Sequence, residues 1–285
     1  MLNKIKGTLQ LLRPELAFAA GICVVIGEFL AAGAIPTLRA AALGFVCGFF
    51  LSGSALITND YFDLEVDRVN APQRALPSGL LSPLEAMASG IAAGLIGLIA
   101  AWDLNWFALE ISLIVWVMGF LYNWKYKSTG LWGNLIVSAS VGLTFVMGGI
   151  GVDLAWNRTV WLFGLIAFVF DLAEEIAAGA MDAEGDRQRA SQSIALVHGK
   201  KTALLVSGML YELVVVLTFI PLGWGGLGLQ YLIPILATDG LFMFFTVKLL
   251  QSRTPTEGRR WIRALYLSGI LGLLAFLAGS FFLFR

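Results

Sequence analysis

The stretch ITNDYFDLEVDR, residues 57–68, decides how this chain is read. It follows a run from Ala41 to Leu56 in which no side chain is charged, and then places Asp60, Asp63, Glu65 and Asp67 within eight residues. Carboxylates gathered at the end of an apolar segment repel one another, and burial penalises each charge. Such a cluster persists where cations offset it or water reaches it. On a helix Asp60, Asp63 and Asp67 stand at i, i+3 and i+7 and share one face.

What surrounds the stretch is apolar. Hydrophobic residues make up 58% of the 285 and charged residues 13%, with a mean hydropathy of +0.82. A soluble domain carries about a quarter charged residues, so the composition predicts an all-α polytopic membrane protein. Nine segments have the length and apolarity of spanning helices: 16–35, 39–58, 84–101, 106–123, 131–152, 159–178, 202–221, 227–249 and 261–283. Pro36, Pro72, Pro77, Pro83, Pro221 and Pro255 fall at their borders, and Pro234 inside the eighth predicts a kink. The opening MLNKIKGTLQLLRP is amphipathic and basic and does not resemble a cleavable signal. Cys23 and Cys47 lie in apolar runs and imply neither a disulfide framework nor a metal site.

Lys and Arg are unevenly divided by these spans. Sixteen of the 19 fall on the side holding the N-terminus and the loops after spans two, four, six and eight, against Arg39, Arg158 and Arg285 on the other. The positive-inside rule makes the first side cytoplasmic. The C-terminus is then expected opposite, in an integral protein of the cell membrane.

A second acidic stretch, DAEGD at 182–186, is expected on the same side as the first. On a helix Asp171, Glu175, Asp182 and Asp186 run along one stripe. Residues 63–71, DLEVDRVNA, and 182–190, DAEGDRQRA, share the pattern D-x-E-x-D-R-x-x-A, followed by ALPSG at 75–79 and ALVHG at 195–199. The match predicts an internal duplication within a single domain over residues 1–285, a common plan in membrane proteins. In that alignment Asp60 faces Gly179, so the second copy has fewer acids. Hard oxygen donors of this kind suit Mg2+, which takes one or two carboxylates and shares its other positions with water and phosphate. Neither stretch has the glycine and terminal glutamate spacing of an EF-hand.

With these motifs in hand, the chain resembles the UbiA superfamily of intramembrane prenyltransferases. NDYFDLEVDRVNAPQRALPSG at 59–79 is similar to that family's N-D-x-x-D-x-x-x-D motif and its N-x-P-x-R-x-x-P-S-G continuation, and 182–186 to its D-x-x-x-D motif. YNWKYKSTGLWGN at 122–134 resembles the segment after the family's fourth helix, with its tyrosine and lysine. The resemblance covers nearly the whole chain. It implies nine helices around a central cavity, a polyprenyl diphosphate donor bound through two Mg2+, and a hydrophobic acceptor drawn from the bilayer.

Carried onto this sequence, the resemblance assigns one Mg2+ to Asn59, Asp60 and Asp63, with Asp67 as a direct or water-mediated ligand, and the second to Asp182 and Asp186. Arg68, Arg74 and Lys127 are expected at the diphosphate oxygens, with Lys125 and Arg187 beside them. Tyr122 is expected near the reacting allylic group. Asp171 and Glu175, with Glu174 in the same span, are candidates for binding or deprotonating the acceptor, since ionisable groups inside a membrane mark function. Glu28, Glu212 and Asp239 stand alone in their spans, and Asp239 could equally serve a hydrogen bond between helices. His198, the single histidine, supports no histidine-based site.

The first motif is most similar to archaeal family members that join a geranylgeranyl group to geranylgeranylglyceryl phosphate. Such members resemble R-E-I-x-K-D before the second motif, where this chain has EEIAAG at 174–179. An aromatic acceptor of quinone biosynthesis, hydroxybenzoate or dihydroxynaphthoate, tolerates that loss of cations better, and the glyceryl phosphate acceptor is preferred on the first motif. A cation-coupled transporter would place its ion site near the bilayer midplane, whereas these acids stand at span ends. The D-G-x-x-A-R pattern of lipid phosphotransferases is absent, and a histidine phosphatase needs two histidines. A net charge of zero gives no ground for a nucleic-acid partner, and no protein partner is expected.

Overall fold

The computed structural model describes residues 2–183, 191–224 and 229–281. Among the described residues every regular element is a helix: α1 Leu2–Leu12, α2 Pro14–Ala32, α3 Leu38–Phe62, α4 Leu64–Asn70, α5 Pro83–Leu104, α6 Trp106–Leu121, α7 Leu131–Gly151, α8 Arg158–Met181, α9 Ile194–His198, α10 Lys200–Thr218, α11 Leu229–Leu250 and α12 Pro255–Phe281. A π-helical turn, Tyr122–Tyr126, follows α6, and a 3-10 turn, Ile220–Trp224, follows α10.

Eight of these helices are long and apolar enough to cross a membrane. The expected sixth span is the difference. It forms an unbroken 24-residue helix, α8, but Asp171, Glu174 and Glu175 on successive turns keep it out of the apolar set. Pro234 sits inside α11 without ending it.

The chain divides into two compact units, one of residues 1–125 and 143–161, the other of residues 126–142 and 162–285. In the first, α3 packs against both α2 and α5. Helix starts are set by local chemistry. Thr37 accepts from the Ala40 amide at 3.2 Å, Ser82 and Glu85 form a reciprocal capping box ahead of Pro83, and Asn105 accepts from the Ala108 amide at 2.8 Å. Glycine then lets backbones approach. The Cβ position of Gly48 lies 2.9 Å from the Ala20 carbonyl oxygen, and those of Gly27 and Gly148 fall on the carbonyls of Phe145 and Val24. Small residues at such crossings are how helices associate where no hydrophobic force separates them from lipid. Val24, Cys47, Ala100, Ala101, Val146 and Met147 fill one core here. Leu11, Ile57, Ala75, Leu76, Leu81 and Ala86 fill another beneath the first acidic motif. Glu28 is 0% exposed, and neither carboxylate oxygen has a hydrogen-bond partner among the described residues.

In the second unit α11 packs against α10 and α12. Val169, Ala173, Ile176, Tyr211, Leu249 and Leu265 belong to its core. Phe170, Tyr211 and Phe242 meet pairwise, with ring centroids 5.5–5.8 Å apart. Asp239 accepts from Thr218 Oγ1 at 2.9 Å, joining α11 to α10. His198 is exposed at the end of α9. Cys23 and Cys47 are free thiols.

Candidate active site

The first acidic motif straddles a bend. α3 stops at Phe62, and Asp63 (φ −85°, ψ 0°) carries the chain directly into α4. Those angles lie in the bridge region, sparsely populated and frequent at reactive sites. The helical bonding nevertheless continues, with the Asp63 amide on the Asn59 carbonyl at 3.0 Å and the Asp67 amide on that of Asp63 at 2.8 Å. The expected shared face therefore survives. Asp60, Asp63 and Asp67 are 4%, 9% and 3% exposed, whereas the Glu65 side chain is 78% exposed. Three acids point inward and the fourth faces out.

Two arginines meet the inward acids. The loop from 71 to 82 is folded back by bonds from the Arg74 amide to Ala71, Ser78 to Arg74 and Leu81 to Ala75, and Ala75, Leu76 and Leu81 anchor it in the core. Arg74 thereby returns over α4, where Nη1 donates to Asp67 Oδ2 at 2.6 Å and lies 3.7 Å from Asp60 Oδ1. From the α1–α2 junction Arg13 donates to Asp60. Burial works against the Arg74 charge, but the Asp67 hydrogen bond and the charges of Asp67, Asp60 and Asp63 outweigh it and hold the guanidinium above its ordinary range. Arg13 has φ of 46°, left-handed for a residue with a side chain, a conformation that costs energy and persists where surroundings hold it.

Asn59 is tied to the π-turn: its Nδ2 donates to Asn123 Oδ1 at 3.0 Å. Asn123 in turn donates to the Ala55 carbonyl and to Thr58 Oγ1 at 3.0 and 3.1 Å. Insertion of the extra residue in this turn turns Asn123 inward, where it is buried, beside a half-buried Tyr122 and an exposed Lys125. Half-buried Lys127 follows in the second unit. Arg68 does not join the buried group; it pairs with Glu65 at 2.9 Å on the exposed side.

The second motif belongs to the other unit. Asp182 caps the end of α8, its amide on the Ala178 carbonyl at 2.9 Å, and pairs with Arg259 near the start of α12. Asp186 and Arg187 lie outside the described residues. One face of α8 carries Asp171, which accepts from Ser138 Oγ at 2.9 Å, and then Glu174 and Glu175, both half-buried.

The donor set of the first motif suits a hard cation: buried carboxylates with a carboxamide alongside. Among the described residues no three acid, imidazole or thiol groups converge to hold an ion. Asp60 and Asp67 are turned to guanidiniums instead. Three contributors escaped the sequence reading. Arg13 and Arg259 appeared there only as cytoplasmic charges, and Asn123 only within a longer motif. Each meets its partner 47 or more residues away in the chain, beyond any local pattern.

Residues 20–270 match the model of the UbiA prenyltransferase family. The digeranylgeranylglyceryl phosphate synthase of Thermococcus kodakarensis is 31% identical over 278 residues, 97% of this chain and 99% of that one. A solved structure concerning digeranylgeranylglyceryl phosphate synthase in membranes matches with a TM-score of 0.83 at 29% identity, over 97% of this chain and 98% of that one. A UbiA homolog from Archaeoglobus fulgidus, solved bound to GPP and Mg2+, matches with a TM-score of 0.70 at 20% identity over 98% of this chain and 99% of that one, a likeness of fold.

Proposed function

This chain belongs to the UbiA prenyltransferase family, and on that premise we propose that it transfers a geranylgeranyl group from its diphosphate to the free hydroxyl of geranylgeranylglyceryl phosphate. It is an integral membrane protein and a prenyltransferase. The observation that carries the reading is the group at the end of α3: three buried carboxylates, two of them already bound by arginine. The phosphate groups of the two substrates bring anionic oxygens that those guanidiniums can take over, and a cation takes the carboxylates they release. The near full-length likeness to synthases of this name supports the acceptor.

In the reaction the C1–oxygen bond of the donor breaks and its electron pair leaves with diphosphate. An ether bond forms between C1 and the acceptor oxygen, and the hydroxyl proton is balanced by hydrogen diphosphate. Bound Mg2+ supplies charge stabilisation for the leaving diphosphate. Asn59, Asp60 and Asp63, with Asp67, would hold one ion, and Asp182 with Asp186 a second. Arg74 turns from Asp67 to the diphosphate, and Lys127, Lys125, Arg68 and Arg187 add positive field. Asn123 fixes the Asn59 carboxamide. Tyr122 shields the allylic carbon from water, and Asp171 and Glu175 handle the acceptor end.

Purified protein in lipid nanodiscs, given geranylgeranyl diphosphate, geranylgeranylglyceryl phosphate and Mg2+, should yield the doubly prenylated glyceryl phosphate by mass spectrometry. Glu174 and Ala178, where cations would favour a phosphate, support the second reading, an aromatic acceptor. Prenylation of hydroxybenzoate or dihydroxynaphthoate with none of the glyceryl phosphate would replace the first reading with the second.

A further inference from the structure

We propose that the phosphate of the acceptor docks on helix α1 at Lys6 and Arg13, its isoprenoid chain lying along Ile5 and Leu9; this rests on the acceptor proposed above. α1 has two unlike faces. One is fastened down: Gly7 packs on Leu81, Leu11 is 1% exposed, and Lys4 pairs with Glu85. The other carries Ile5, Lys6, Leu9, Gln10 and Arg13, at i, i+1, i+4, i+5 and i+8, along a groove of about 540 Å3 that continues to Pro14 and Glu15.

The chemistry of the groove is amphiphilic. Ile5 and Leu9 are 49% and 50% exposed, apolar surface that a lipid chain would cover. Lys6, Gln10 and Arg13 offer donors, and α2 begins here with the positive end of its dipole. Glu15 adds one negative charge to the same lining, against the two positive charges of Lys6 and Arg13. An isoprenoid with an anionic head satisfies both halves; a hydroxybenzoate or dihydroxynaphthoate brings a carboxylate for the cations but no chain for Ile5 and Leu9. Arg13 is the link to chemistry, because the same guanidinium that lines the groove binds Asp60. A phosphate there is one side chain from the first motif. The groove also supplies the cations that Glu174 and Ala178 do not.

Steady-state kinetics in phosphatidylcholine nanodiscs tests this through Lys6, which no metal or donor role involves. Lys6→Glu should raise the acceptor KM about tenfold or more, Lys6→Gln less, with kcat and the KM for geranylgeranyl diphosphate unchanged. Turnover of phosphate-free geranylgeranylglycerol should ignore both changes. Without donor or metal, geranylgeranylglyceryl phosphate should slow hydrogen exchange across residues 2–12 in the natural protein and not in Lys6→Glu. An unchanged acceptor KM in active Lys6→Glu protein overturns the groove, as does an effect confined to anionic bilayers, which would mean that Lys6 reads surface charge. Failure of the natural protein to use this acceptor sinks the acceptor assignment instead, and the exchange measurement still decides the groove.

Discussion

Replacing Arg74 with glutamine tests the electrostatic account of the first motif without touching a carboxylate. Arg74 donates to Asp67 at 2.6 Å, and the side chains are 41% and 4% exposed respectively. A hydrogen bond to a charged group contributes about 1.5–3 kcal/mol, and an arginine open to water on one side belongs at the low end, about 1.5–2 kcal/mol. For 285 residues the unfolding entropy is roughly 600 cal/mol/K, so Arg74→Gln should lower Tm by about 3 °C. Tryptophan fluorescence during heating in detergent measures this directly. The decisive comparison is a cycle with Asp67→Asn: once the carboxylate is neutral, Arg74→Gln should cost less than about 0.5 kcal/mol, a coupling of at least about 1 kcal/mol. Equal losses in both backgrounds would show that Arg74 stabilises by packing alone, and the ion-pair account of Asp67 would be wrong.

Gly27→Ala and Gly148→Ala each drive a methyl into a neighbouring carbonyl and should cost about 1–3 kcal/mol or more, seen as a lower Tm or loss of folded protein from the membrane. Gly240→Ala enters open space within α11 and should stabilise by up to about 1 kcal/mol; a loss there would contradict the packing described. Glu28→Gln keeps the volume of a fully buried group whose oxygens lack partners among the described residues, and should leave Tm unchanged or raised; a fall of several degrees would reveal a use for the carboxylate. Asp63→Asn and Asp182→Asn should each reduce transfer by about 100-fold or more, the scale of a lost electrostatic contributor, and EDTA should stop turnover until Mg2+ is returned. Full activity in either variant, or indifference to chelation, would remove the metal roles.

Much of the architecture was legible because periodicity and hydropathy are local. The segment expected over 39–58 became Leu38–Phe62, and that over 84–101 became Pro83–Leu104, each lengthened where a Thr or Ser cap and a polar end extend the helix. The inward stripe of Asp60, Asp63 and Asp67 also followed from spacing alone. What failed to show was long-range. Arg13 counted as a charge, yet its meaning comes from Asp60, 47 positions on. Arg68, adjacent to the motif and phosphate-suited in sequence, turns out to face Glu65, because one step along a helix is a rotation of about 100° away from the buried face. α8 was counted as a span by length, and Asp171, Glu174 and Glu175 interrupt its apolar run. Asn123 needed the π-turn, and nothing in YNWKY announces an inserted residue.

Seating Arg13 on Asp60 and Arg74 on Asp67 also governs what the resting protein admits. A bare trio of acids would scavenge stray divalent ions and turn away a polyanion arriving by itself. With their counter-charges in place, and on the function proposed above, loading would go best when ion and polyanion come as a preassembled complex, each displacing one half of an existing pair. Entry would then be gated by the company a substrate keeps.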